Sequence, residues 1–155
     1  MSVYDIKTLR QELVDEDMRK HPNMAASFPR SYFYQWPNLT DKTANGLTDC
    51  IIHFIKLHGG QAERIAVMGK PLAQKDDRGR VVGYRLVKSQ MTKGTADISA
   101  TIDGRSVKIE VKIGGDRQSD AQRRYQQDVV SAGGYYFVAK DFVSFTNWYF
   151  GIWSR

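Results

Sequence analysis

Apolar and polar residues alternate strictly from Ala96 to Ile102 and again from Val107 to Ile113, which predicts two half-buried strands. Asp103-Gly104 lies between them. An Asp-Gly pair is a strong hairpin signal, because both central residues of a type I′ turn need positive φ. With these two as the loop, Ile102 faces Arg105. Counting back then pairs Ala100 with Val107, Ile98 with Ile109 and Asp97 with Glu110. Elsewhere the spacing is helical. Ile6, Leu9, Leu13 and Val14 predict a short amphipathic helix, and a Pro-punctuated stretch follows from Pro22 to Pro37. Leu47, Cys50, Ile51, Phe54 and Ile55 predict a helix over Thr43 to His58, stopped by Gly59-Gly60. Strands are expected over Gln61–Val67 and Val81–Val87, with the polar run up to Arg80 between them read as a loop. Ser119 opens a helix that Gly133-Gly134 ends, with Tyr125 and Val129 on its core face. Tyr135–Ala139 reads as a buried strand, and Phe142, Phe145 and Trp148 suit a closing helix.

No repeat or linker divides the pattern, so residues 43–155 are read as one domain and residues 1–42 as an N-terminal extension. A chain of 155 residues, 41% hydrophobic and 26% charged, builds one core without needing disulfides or a structural metal. Its single cysteine, Cys50, sits in a helical apolar run and reads as a buried, inert thiol, which excludes a zinc finger. The first residues lack the apolar stretch of a signal peptide, and no transmembrane run is visible. The expected location is the cytoplasm of a bacterium or of a phage-infected cell. The formal charge of +6 favours a polyanionic partner such as nucleic acid, though a solvated basic surface gives the same number. The excess is concentrated in one segment: Lys70, Lys75, Arg78, Arg80, Arg85, Lys88 and Lys93 stand against Asp76 and Asp77.

The hairpin register carries the chemistry. Directly opposed residues share a sheet face with Cβ atoms about 4.5–5.5 Å apart, and like charges there are destabilising. Asp97 and Glu110 therefore call for compensation. Two carboxylates so placed offer hard oxygen ligands to Mg²⁺ or Mn²⁺. Lys112, two residues beyond Glu110, projects from the same acidic, solvent-accessible face, while Ile98, Ala100, Val107, Ile109 and Val111 turn into the core. Its ammonium could orient or help deprotonate an attacking water and balance charge growing on phosphate. An exposed polar face on an ordinary hairpin would also contain Glu and Lys. The combination of Gly94-x-x-Asp97, the opposed acids and the lysine on their face favours a site.

Gly94-Thr95-Ala96-Asp97, then Ile109-Glu110-Val111-Lys112, then Gln122 on the following helix resemble the PD-(D/E)XK nuclease superfamily, most closely its VRR-NUC branch, over roughly residues 43–140. The resemblance implies a restriction-endonuclease-like α/β core. In it a helix precedes a mixed central sheet, a second helix follows the acidic hairpin, and a last strand returns beside it. It also implies divalent-metal-dependent hydrolysis of phosphodiesters, with Asp97, Glu110 and the Val111 carbonyl as metal ligands, Lys112 acting on water, and Gln122 contacting the water or the phosphate. Two departures stand out. Ala96 replaces the proline that often precedes the first acid, and the early glutamate of the family's first helix has no clear counterpart, Asp49 or Glu63 being the stand-ins.

Gln122 has a second reading, since Ser119-Asp120-Ala121-Gln122 is a capping box. Arg123 and Arg124 are either phosphate contacts or ordinary surface arginines. Tyr32, Phe33, Tyr34 and Trp36 either stack on bases or pack the extension onto the core. His21, His53 and His58 lie near no acidic cluster and lack metal-ligand spacing, and Gly114-Gly115-Asp116 lacks the Lys and Ser/Thr of a phosphate loop. The expectation is a DNA nuclease using Mg²⁺ or Mn²⁺, with Arg78, Arg80, Arg85, Lys93, Arg123 and Arg124 as candidate DNA contacts and a homodimer suiting two-strand cutting. The alternative is a binding module of the same fold that does not cut.

Overall fold

The computed structural model describes residues 3–65, 70–87 and 92–153. A mixed four-stranded sheet organises them. Its strands are β1 (Gln61–Arg64), β4 (Ile98–Ile102), β5 (Arg105–Val111) and β6 (Tyr135–Ala139), in the order β1-β4-β5-β6. The first two neighbouring pairs are antiparallel and β5–β6 is parallel. A separate antiparallel hairpin, β2 (Lys70–Lys75) with β3 (Val81–Val87), lies between β1 and β4 in the chain. The helices are α1 (Ile6–Lys20), α2 (Pro22–Ser27), α3 (Ala44–Leu57), α4 (Asp120–Ser131) and α5 (Phe142–Trp153), and Arg30–Tyr32 forms a 3₁₀ turn. The fold is α/β, with helices flanking a mixed central sheet.

The β4–β5 register follows from the turn. Asp103 and Gly104 adopt φ of 47° and 76°, and the strands pair Ile102 with Arg105, Ala100 with Val107 and Ile98 with Ile109. Alternation then sorts the faces. Ile98, Ala100, Ile102, Val107 and Ile109 are all at most 2% exposed and form one core with Leu47, Ile51, Phe54 and Ile55 of α3 and with Phe142 and Phe145 of α5. Thr43 caps α3, its Oγ1 accepting from the Gly46 amide at 3.1 Å. Leu9 and Leu13 of α1 join the same core, and Thr146 of α5 donates to the Tyr4 carbonyl at 3.1 Å. Cys50 is fully enclosed, and burial pushes its thiol up to about 12. Among the described residues no helix is long and apolar enough to cross a membrane.

Three expectations need correction. The run up to Arg80 contains strand β2 rather than a loop only. Its sequence, interrupted by Pro71, has no apolar alternation, and its strand character comes from pairing with β3. Tyr135–Ala139 is a strand, but only Ala139 is fully buried, because β6 is the edge strand of the sheet and the layer over Tyr136 and Val138 is thin. That layer is α4, which buries none of its own residues, Tyr125 and Val129 included. The expected end of the first strand at Val67 lies outside the described residues, as does Lys88.

Candidate active site

Glu110 follows Ile109 on β5 and points to the opposite face, beneath the N-terminal end of α4. There it is 1% exposed. Lys112 Nζ approaches its Oε1 at 3.0 Å, and Gln122 Nε2 donates to the same oxygen. Glu110 Oε2, equally enclosed, has no hydrogen-bond partner. Burial raises the Glu110 carboxyl above its ordinary value; Lys112 pulls it down, and the Asp97 charge pushes it up again.

Asp97 lies one residue before β4, and continuing the observed register sets it opposite Glu110. Its Oδ2 accepts from the Val111 amide at 2.8 Å, and its own carbonyl accepts from Ile65 N–H at 2.8 Å. The two acids are thus compensated separately, Asp97 by a backbone amide and Glu110 by Lys112 and Gln122.

Gln122 forms the expected capping box and also reaches the Glu110 carboxylate. Its Oε1 accepts from Ser119 N–H at 2.9 Å, its own N–H donates to Ser119 Oγ at 3.3 Å, and its Nε2 is left to hold Glu110. Gly94 explains how α4 comes so close. It adopts φ +83°, and a Cβ there would meet the Ala121 carbonyl at 2.3 Å and the Gln122 nitrogen at 2.6 Å. A side chain at position 94 would push the loop entering Asp97 away from the helix that delivers Gln122.

Lys112 departs from expectation. Alternation predicts that it projects from a solvent-accessible face, but its side chain is 15% exposed and ion-paired to a buried acid. Alternation predicts the face correctly; it does not predict that a helix covers that face. Asp49 is ion-paired to Arg64 at 3.1 Å, and Arg64 alternates with Glu63, putting that pair on the α3 side of the sheet, away from Glu110. Glu63 pairs with Ser99 and so shares the site's face, but it is exposed. Among the described residues no three acid, His or Cys side chains converge as a metal-binding group.

The basic candidates scatter. Arg123 is tied to Asp120 and to the Gln118 carbonyl, Arg124 and Lys93 are exposed, and Arg78, Arg80 and Arg85 lie on the β2–β3 hairpin. Phe33 is buried and Trp36 packs on His53, whereas Tyr32 and Tyr34 are exposed, so the aromatic stretch divides between packing and surface. His53 lies half-buried against that ring and His58 stacks on Phe54, both away from the site.

Sequence reasoning missed Tyr136. It pairs with Lys108 across the parallel β5–β6 ladder, on Glu110's face, and its enclosed hydroxyl has no hydrogen-bond partner. Burial and the Glu110 charge both push that hydroxyl's ionisation upward. A parallel register cannot be counted from a tight turn, so no local signal marked it.

The pair Asp97 and Glu110 offers hard oxygen donors, and Glu110 Oε2 is a desolvated acceptor with no hydrogen bond of good geometry. That donor set fits a divalent cation such as Mg²⁺ or Mn²⁺. No family model matches the chain, and no curated protein matches it.

Proposed function

We propose that this chain is a divalent-metal-dependent nuclease hydrolysing DNA phosphodiester bonds, with a PD-(D/E)XK core of the VRR-NUC type. The observation that carries the reading is Glu110. A carboxylate 1% exposed, with one oxygen unpartnered and a second acid opposite it, is costly to fold unless it serves a ligand. Topology supports it too. Helix α3, the antiparallel run β1-β4-β5, helix α4 and the parallel return of β6 follow the order that the motif resemblance implies for a restriction-endonuclease-like core.

Asp97, Glu110 and the Val111 carbonyl would hold Mg²⁺ or Mn²⁺, which when bound supplies Lewis-acid polarisation of a phosphoryl oxygen. The chain's own groups do the rest. Lys112 supplies a cation beside Glu110 that can orient water and offset charge growing on phosphate. Gln122, fixed by the capping box, holds the Glu110 carboxylate in place. Action in the cytoplasm, in DNA processing, repair or phage replication, fits this chemistry, and a homodimer would suit cutting both strands.

One observation favours a second reading. No third acidic group converges among the described residues, which would suit a binding module that no longer cuts. The deciding experiment is cleavage of linear and branched DNAs with Mg²⁺, with Mn²⁺ and with chelator. Metal-dependent cleavage lost in Asp97→Asn supports the nuclease; binding without cleavage under every metal condition supports the module.

A further inference from the structure

The hairpin β2–β3 stands apart from the core. Neither strand packs substantially on any other described element. Leu72 is 54%, Val82 66% and Tyr84 72% exposed. The register sets Leu72 beside Arg85 on one face and Tyr84 beside Ala73 on the other, so both faces carry exposed large side chains. An isolated two-stranded hairpin is marginally stable in water, and apolar groups on both faces leave it without a core of its own.

Its tip is nevertheless built. Asp76 Oδ1 accepts from the Arg78 and Arg80 amides at 3.0 and 2.9 Å, and its Oδ2 accepts from Arg80 Nε at 3.0 Å. Gly79 turns the chain at φ +78° and donates to the Asp76 carbonyl at 2.8 Å. Lys75, Arg78, Arg80 and Arg85 remain at the surface, and Asp76, one of the two acids among them, is spent on the turn.

The described residues flanking the arm in sequence touch or lead into Asp97. Ile65, which precedes the arm, donates to the Asp97 carbonyl, and the returning chain runs through Gly94 directly into Asp97.

We propose that this hairpin is a DNA-gripping arm that enters the major groove of a duplex, making double-stranded rather than single-stranded DNA the substrate of the candidate site. The proposal rests on the nuclease reading only for its link to cleavage. A partner lying against one face would leave the other face wet, whereas a groove has a wall on each side. The major groove, about 12 Å wide and 8.5 Å deep, admits a two-stranded ribbon. The arginines and Lys75 then reach phosphates on its rims, while Tyr84 and Leu72 contact the sugars and base edges between them. Pairing of the hairpin with a second copy of itself would set like charges against one another, so charge favours the polyanion.

The test is fluorescence anisotropy of the full chain in chelator, with a labelled 30-base-pair duplex and with one of its strands alone. The expected result is at least about tenfold tighter binding to the duplex. Methyl green, which occupies the major groove, should compete, and netropsin, which occupies the minor groove, should not. Arg78→Gln with Arg85→Gln should lower the slope of log affinity against log salt by roughly two, one phosphate contact each. Tyr84→Ser with Leu72→Ser should weaken duplex binding with the slope kept. Circular dichroism and Mn²⁺ binding, unchanged in both variants, show that the core is intact. Equal affinity for the single strand, competition by netropsin alone, or wild-type binding by both variants overturns the arm. So does a shift from dimer to monomer on gel filtration in Tyr84→Ser with Leu72→Ser, which would make the hairpin an interface between copies. These readouts need no cleavage. Failure to cut DNA would overturn the nuclease and leave the arm standing; cutting with no duplex preference would do the reverse.

Discussion

Ile109 and Glu110 are neighbours on one strand, and both are hidden from solvent, at 0% and 1% exposure. Their burial differs in kind. Ile109 faces two helices, α3 and α5, that supply aliphatic and aromatic surface, so its burial is favourable in itself, by about 1.5–3 kcal/mol for a side chain of that size. Glu110 faces a helix that buries none of its own residues, and its charge is met by polar groups, Lys112 and Gln122, with Tyr136 nearby. The apolar face stabilises the fold. The polar face is tolerated by it, which suits the proposed use of that surface for chemistry.

The largest expected effect separates the two faces by activity. Asp97→Asn and Glu110→Gln should each reduce metal-dependent cleavage by at least about 100-fold, beyond what is usual for residues that only support a ligand. Both should leave the circular dichroism spectrum and duplex binding in chelator near wild type. Retained cleavage in either would remove the opposed acids from the mechanism.

The counterpart on the other face is Ile109→Ala. It should cost about 2–5 kcal/mol of stability, because it empties space among α3, β4 and α5 that nothing nearby can refill. Urea denaturation measures this. Mn²⁺ affinity of the folded fraction should stay within about threefold of wild type; a large loss would mean that the two faces are coupled through the strand rather than divided by it.

The division was legible because it rests on local geometry. Asp103-Gly104 fixes the turn, the turn fixes the register, and the register sets Asp97 against Glu110 with Lys112 on the same face. The capping box around Ser119 and Gln122 was equally local. What the sequence did not reveal depends on contacts distant in the chain. The parallel return of β6 brings Tyr136 to Glu110, the close approach at Gly94 draws α4 over the acids, and β2 is a strand because β3 pairs with it. Lys112 was misjudged for the same reason, since exposure depends on what packs above a strand.

Lys112→Ala sharpens the comparison in a pH-dependent way. Glu110 is held above its usual carboxyl range by burial, and Lys112 offsets part of that. Without the ammonium the carboxyl rises further, and the folded chain at pH 7 contains a less compensated buried charge, costing about 1–3 kcal/mol. A raised acid contributes stability that is present below its unfolded value, near 4.5, and lost as pH climbs through the folded one. The melting-temperature gap between wild type and variant should therefore be widest at pH 8 and narrow toward pH 5. A constant gap would show that Lys112 stabilises by packing alone.

The smallest expected change is Tyr136→Phe, and it tests whether the polar face is tuned as well as tolerated. The enclosed hydroxyl forms no hydrogen bond of good geometry but acts weakly on the Glu110 carboxylate, so losing it removes a desolvation cost and a weak polar interaction that offset each other; the aromatic ring, which meets Tyr125 edge-on, stays. Stability should be unchanged within about 0.5 kcal/mol, or slightly higher. A hydroxyl beside a carboxylate favours its charged form, and Tyr136 acts on Glu110 in that direction, against burial. Phenylalanine should thus let the Glu110 carboxyl rise. Since metal must displace the proton, the pH midpoint of Mn²⁺ binding should move upward, by less than about one unit, with the plateau affinity at high pH preserved. Calorimetric Mn²⁺ titrations of both proteins between pH 5 and 8 resolve this. Coincident midpoints would make Tyr136 a packing residue of β6, and the site would then consist of Asp97, Glu110, Lys112 and Gln122 alone.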